Sequence, residues 1–120
     1  MQSSNIETIS RALEQSWSST SSSKWKKSNP ALGQCGVTAL VVQDHLGGEI
    51  VKTKVVKQEV GELRHFYNLI ESKPNDFTIS QFDDPINYDN LPSSREEAFQ
   101  DTNARQEYLS SAARRLLQYI

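Results

Sequence analysis

One cysteine and two histidines are the residues of this 120-residue chain suited to nucleophilic chemistry near neutral pH. Cys35 lies in the run Asn29-Pro-Ala-Leu-Gly-Gln-Cys35-Gly-Val-Thr-Ala-Leu-Val-Val, where turn signals give way at the cysteine to an apolar helical stretch. The start of a helix carries unpaired backbone N–H groups and about half a positive charge, which favours an anion beside it. A thiolate is such an anion, so the position can turn a thiol into a nucleophile. The plainer reading is a small buried apolar residue, the commoner fate of a lone cysteine. A nucleophilic thiol needs a base. His45 is ten residues along the same predicted helix, about 15 Å away along its axis, and cannot reach the thiol. A Cys–His pair, if one forms, must therefore use His65. Its plainer reading is a hydrogen-bonded histidine in a half-buried strand. Asp76, Asp83 and Asp84, or the amide of Asn68, can orient the imidazole, and pattern alone does not choose among them.

The elements that must hold these residues can be read in order. Ser4-x-x-Glu7 resembles a capping box opening a first helix, with Ile6, Ile9, Leu13 and Trp17 on one face. Residues 16–29 are Ser-rich and basic, a long loop whose Trp17 and Trp25 either pack on the body or floor a groove. The second helix is expected from Cys35 to Leu46, ending at Gly47-Gly48. Its apolar residues cover most of the circumference, which implies a buried central helix with Cys35 at its mouth. Glu49 to Lys57 and Leu63 to Ile70 read as strands, and Asp76 to Phe82 as a third. Asp83 to Ser94 reads as loop. Ser94, with Glu97 three places on, caps a short helix, and Thr102 starts a last one whose Arg105, Arg114 and Arg115 read as a solvated face. The pattern is α+β in a single domain, residues 1–120.

With 13 basic and 15 acidic residues the net charge is −2, so the chain has no electrostatic footprint for nucleic acid. A lone cysteine forms no internal disulfide, and with two histidines it excludes the usual structural zinc sets. No metal and no cofactor is expected. The longest stretch free of charged or strongly polar side chains, Gly36 to Val42, is far short of a membrane span. The N-terminus lacks the regions of a signal peptide, so the expectation is a cytoplasmic protein, not bound to membrane, with its thiol reduced. Oligomeric state is not legible.

The run NPALGQCGVTALVVQDHLGGEI, then Gly61-Glu-Leu-Arg-His65-Phe-Tyr-Asn68, then Asp76-Phe-Thr-Ile-Ser-Gln81-Phe82, resembles the YunG family of small bacterial proteins. The same order is similar to the papain-like and transglutaminase-like fold group, where a cysteine at a helix N-terminus is followed by His and then Asp or Asn on adjacent strands. The resemblance implies a small domain of that kind: N-terminal helices, including the buried one bearing Cys35, packed on a short antiparallel sheet, with C-terminal helices. It also implies a Cys35–His65–Asp76 triad acting on a peptide, amide or small acyl substrate, as an amidase, peptidase, deamidase or acyltransferase. In such a site the Cys35 N–H supplies one oxyanion donor and Gln34 a second, with Gln81 and Asn68 as alternatives and Trp25 beside the substrate. A tight turn centred on Ile70-Glu71 would put His65 opposite Asp76. Pro74-Asn75 is the stronger local turn signal, and a loop there would put His65 near Gln81 and Phe82 instead. The resemblance favours the first, with Pro74 on an edge strand. The rival expectation is a non-catalytic binding module of the same fold, working through the Trp17/Trp25 loop.

Overall fold

A helix that is apolar on nearly every side must go inside, and residues 35–42 do: all eight are buried. The computed structural model of the protein describes residues 2–17, 26–57, 61–82 and 85–100. Within them, α1 (Gln2–Ser16) leads to α2 (Cys35–Leu46), then to β1 (Glu49–Lys57), β2 (Gly61–Ile70) and β3 (Lys73–Asn75), a 3-10 turn (Ile79–Gln81), β4 (Leu91–Pro92) and α3 (Arg95–Phe99). The strands form one antiparallel sheet in the order β3-β2-β1-β4. The result is a small α+β fold. Trp25, Asp83, Asp84 and the helix expected from Thr102 lie outside the described residues.

Helix α2 is the hub. On one side Ile9, Leu13 and Trp17 pack in a cluster with its Val37, Val41 and Val42. Trp17 is 6 % exposed, and its indole N–H donates to Thr38 Oγ1 at 3.0 Å, so this tryptophan packs the core and floors no groove. On another side Ala39 and Leu40 join Ile50 and Phe66 of the sheet and Ala98 of α3. Helix α1 begins at Gln2, so Ser4 lies inside it and Ser4-x-x-Glu7 does not mark its start. Ser94, by contrast, caps α3 as expected, its hydroxyl accepting from Glu97 N at 3.1 Å.

Helix α3 is fixed by Glu97, whose carboxylate takes Lys52 Nζ at 2.6 Å, Ser93 Oγ at 2.7 Å and Arg64 Nη1 at 3.1 Å. The Lys52 and Ser93 hydrogen bonds hold its carboxyl below the ordinary value of 4.5, against a smaller opposing effect of burial. A carboxylate with a depressed folded-state pKa stabilises above its ordinary pKa and loses that contribution as pH falls through the folded value. Thermal unfolding should therefore show a loss of about 1 kcal/mol below pH 4.5 that Glu97→Gln abolishes.

The β2–β3 hairpin determines where Asp76 goes. Ile70 pairs with Lys73, leaving Glu71 and Ser72 as a two-residue loop with φ of 53° and 66°. That is the turn whose twist suits a hairpin, built without the usual glycine. It is tight, as the resemblance required, but centred one residue later, on Glu71-Ser72. Pro74 sits on the edge strand β3. Ser72→Gly removes left-handed strain of about 1 kcal/mol, and a rise in melting temperature of a few degrees is expected by calorimetry.

Two segments differ from the sequence expectation. Residues 76–82 form no strand: Asp76 Oδ1 accepts from Thr78 N at 3.1 Å, a side-chain turn that takes the chain off the sheet edge and into the 3-10 turn. Within the expected loop from Asp83 to Ser94, Leu91 and Pro92 pair with Lys52 and Val51 as β4.

Candidate functional site

Strand alternation sorts the site residues. On β2, His65 and Tyr67 share one face with Thr53 and Val51 of β1, whereas Phe66 and Asn68 share the other with Lys52 and Ile50. Helix α2 packs on the second face, where Asn68 Nδ2 donates to Ala39 O at 3.1 Å. Asn68 thus ties helix to sheet, and the imidazole's carboxylate partner is found elsewhere.

That partner is Asp76. The β2–β3 pairing ends at Asn68 and Asn75, so Asp76 falls level with Tyr67 and reaches diagonally to His65. His65 Nε2 and Asp76 Oδ2 are 2.7 Å apart, with side chains only 2 % and 5 % exposed. The carboxylate is an acceptor at both oxygens. Oδ1 takes Thr78 N at 3.1 Å and Thr78 Oγ1 at 3.3 Å, while Oδ2 also takes the Tyr88 hydroxyl at 2.8 Å. Gln81 Nε2 in turn donates to Thr78 Oγ1 at 3.1 Å. Gln81 therefore supports Asp76 through Thr78. Phe82 sets its ring edge-on to the imidazole, 4.8 Å between centroids.

An ionised carboxylate only accepts, so the shared proton between Nε2 and Oδ2 belongs to the ring. Nδ1 of a neutral ring is then left as an acceptor, and it is buried with no hydrogen-bond partner among the described residues. A buried polar atom in that state costs about 1–3 kcal/mol. Beyond Asn68 no β3 residue pairs with β2, so at His65 that edge of β2 is open to side chains.

Cys35 opens α2 and is 8 % exposed, in a cluster with Ala39, Leu40 and Phe66. No hydrogen bond joins its thiol to His65 Nδ1. Gln34 precedes it, fully buried, with φ −93° and ψ −1°, and its side chain does not cap the helix. The first-turn N–H groups thus point toward the cysteine end of α2 without a Gln34 cap. A cavity of about 240 Å³ between α1 and the turn after β3 is lined by Ile6, Ser10, Glu14, Asp76, Phe77 and Ile79, and by neither Cys35 nor His65. Among the described residues no cluster of His, Cys, Asp and Glu could hold a metal, and no helix is long and apolar enough to cross a membrane.

Thr78 and Tyr88 were not legible as site residues. Thr78 follows Asp76 at the spacing of a side-chain turn, the signal that could have found it. Tyr88 reaches Asp76 from a loop twelve residues on, and no periodicity marks it.

A family model described as YunG protein matches residues 5–118. Over 101 residues, 84 % of either chain, the sequence is 55 % identical to a protein of Bacillus subtilis (strain 168) described as uncharacterised protein YunG. No solved structure matches the chain.

Proposed function

The chain belongs to the YunG family, and from that footing we propose that it is a cysteine-dependent acyl or amide enzyme in which Cys35 is the nucleophile, His65 the base and Asp76 the group that orients the base. The observation that carries this reading is His65 itself. One ring nitrogen is fixed at 2.7 Å by a buried carboxylate, and the other, also buried, has no hydrogen-bond partner among the described residues. A purely structural histidine gains nothing from that arrangement, whereas a base must keep one nitrogen open to receive a proton.

We read the fold as a small papain-like or transglutaminase-like domain. The support is the order of parts: a cysteine on the first turn of a buried helix, then His on β2 and Asp just past β3, on its neighbour. The pleat points His65 away from the α2 face. The proposed proton transfer therefore requires thiol and imidazole to be brought together around the edge of β2 beyond β3, before the acyl substrate reacts.

The chemistry follows from the tautomer. His65 Nδ1 takes the Cys35 proton, and Asp76 stabilises the imidazolium through Nε2–H. The thiolate attacks the acyl carbon. As the C–N or C–O bond breaks, the imidazolium returns the proton to the leaving group and a thioester remains. Water or an amine, deprotonated by His65, then attacks the thioester and releases the thiol. Backbone N–H groups at the start of α2 face the developing oxyanion, with Gln34 as the side-chain donor.

Cys35 should react with iodoacetamide faster than free cysteine below about pH 7, where an ordinary thiol is mostly protonated, and an activated aryl ester should leave its acyl group on Cys35. Alkylation no faster than that of free cysteine across this range would overturn the proposal. Of the two tryptophans on which the binding alternative rests, Trp17 packs in the core and Trp25 lies outside the described residues.

A further inference from the structure

We infer that Tyr88 is a positioning residue: by donating its hydroxyl to the same Asp76 oxygen that holds the His65 ring, it locks the carboxylate and sets the pH at which that imidazole is protonated. This rests on the reading of His65 as the base. Tyr88 Oη is 2.8 Å from Asp76 Oδ2, and His65 Nε2 is 2.7 Å from the same oxygen. Two donors on one oxygen divide its charge, so the carboxylate stabilises an imidazolium less than it would alone.

Tyr88 is built in. Its ring packs edge-on against Tyr67, 4.9 Å between centroids. The chain on either side is clasped to the sheet. Thr53 Oγ1 donates to Asn87 O at 2.8 Å and accepts from Asp89 N at 3.1 Å. Tyr67 Oη donates to Asn90 Oδ1 at 2.6 Å and accepts from Asn90 N at 2.7 Å. Among the described residues the titratable groups facing this cluster are Asp76 after β3, Tyr67 on β2 and Asp89 beside Tyr88. Burial and the Asp76 hydrogen bond raise the Tyr88 pKa far above 10, so its hydroxyl stays protonated and remains a donor.

The test is an NMR titration of the His65 ring in the full chain carrying Cys35→Ser, which removes the thiol from the measurement. Tyr88→Phe should raise the His65 pKa by about half a unit or more, because Oδ2 is returned wholly to Nε2–H. Tyr67→Phe, which loses a hydroxyl bonded to Asn90 and not to Asp76, should shift the His65 pKa by less than Tyr88→Phe does. If Tyr88→Phe does not fold, 3-fluorotyrosine at position 88, a stronger donor of nearly the same shape, should lower the His65 pKa instead. No shift, a shift of opposite sign, or an equal shift in the Tyr67 variant would overturn the assignment. The two proposals fail separately: ordinary alkylation of wild-type Cys35 defeats the enzyme reading, whereas an unmoved His65 pKa beside rapid alkylation defeats only the role of Tyr88.

Discussion

Replacing His65 with alanine is expected to slow iodoacetamide alkylation of Cys35 at pH 6 by about a hundredfold. An unpaired thiol with a pKa near 8.5 is thiolate to well under about 1 % at that pH, whereas a thiol that has passed its proton to an imidazole is mostly thiolate. The ratio of those fractions sets the size of the effect. Alanine also takes from buried Asp76 its 2.7 Å partner, leaving Thr78 and Tyr88 as its donors. A destabilisation of about 2–3 kcal/mol should accompany the kinetic loss. His65→Gln separates the two, since its amide can still donate toward Asp76 but cannot take a proton at neutral pH. The glutamine variant should react as slowly as the alanine variant while unfolding at a higher temperature. Unchanged alkylation in both would show that the imidazole does not activate the thiol.

Gly48→Ala is expected to destabilise the fold by about 3 kcal/mol or more in denaturant titration. Gly48 joins α2 to β1 at φ +80°, a backbone region that costs an L-residue about 1–2 kcal/mol. A Cβ there would clash with the Leu69 carbonyl oxygen and stand 3.3 Å from its carbon. That obstacle is the backbone of β2, which cannot rotate aside as a side chain would, and overpacking of this kind costs a further 1–3 kcal/mol or so. Gly47, with φ +73° and open space around it, makes the natural comparison: Gly47→Ala meets only the backbone penalty. Equal effects at the two positions would refute the close approach.

The legible parts of the fold were those where one local signal sufficed. The Cys35–Leu46 helix and the Glu49–Lys57 strand stand where the apolar pattern and the Gly47-Gly48 stop placed them. Ser94 caps its helix because the hydroxyl and the Glu97 N–H are neighbours in sequence. Asp76 to Phe82 misled for the same local reason. Its β-rich composition promised a strand, but the Asp76 side chain bonds its own backbone two residues on and ends the pairing. The Glu71-Ser72 turn was obscured because Pro74-Asn75 is the stronger turn signal, yet cross-strand pairing of Ile70 with Lys73 overrides it. For the candidate site, His65 and Asp76 could be named from the family pattern, and the structure sets them 2.7 Å apart. The second donor to that carboxylate could not, since Tyr88 reaches it from a loop whose path only tertiary packing determines.

The two-residue loop between β2 and β3 bears on the order of assembly. Asp76 and His65 are separated by eleven positions and meet across that hairpin. Isolated hairpins close in about 1–10 μs, far sooner than contacts that must wait for distant segments to dock. Imidazole and carboxylate can thus be joined while the rest of the chain is still searching, and α2, thirty residues upstream of His65 at its cysteine end, docks on a hairpin that already holds the pair. A nascent or partly unfolded chain would carry a thiol no more aggressive than free cysteine, so under the proposed chemistry the reactive state is confined to the completed fold.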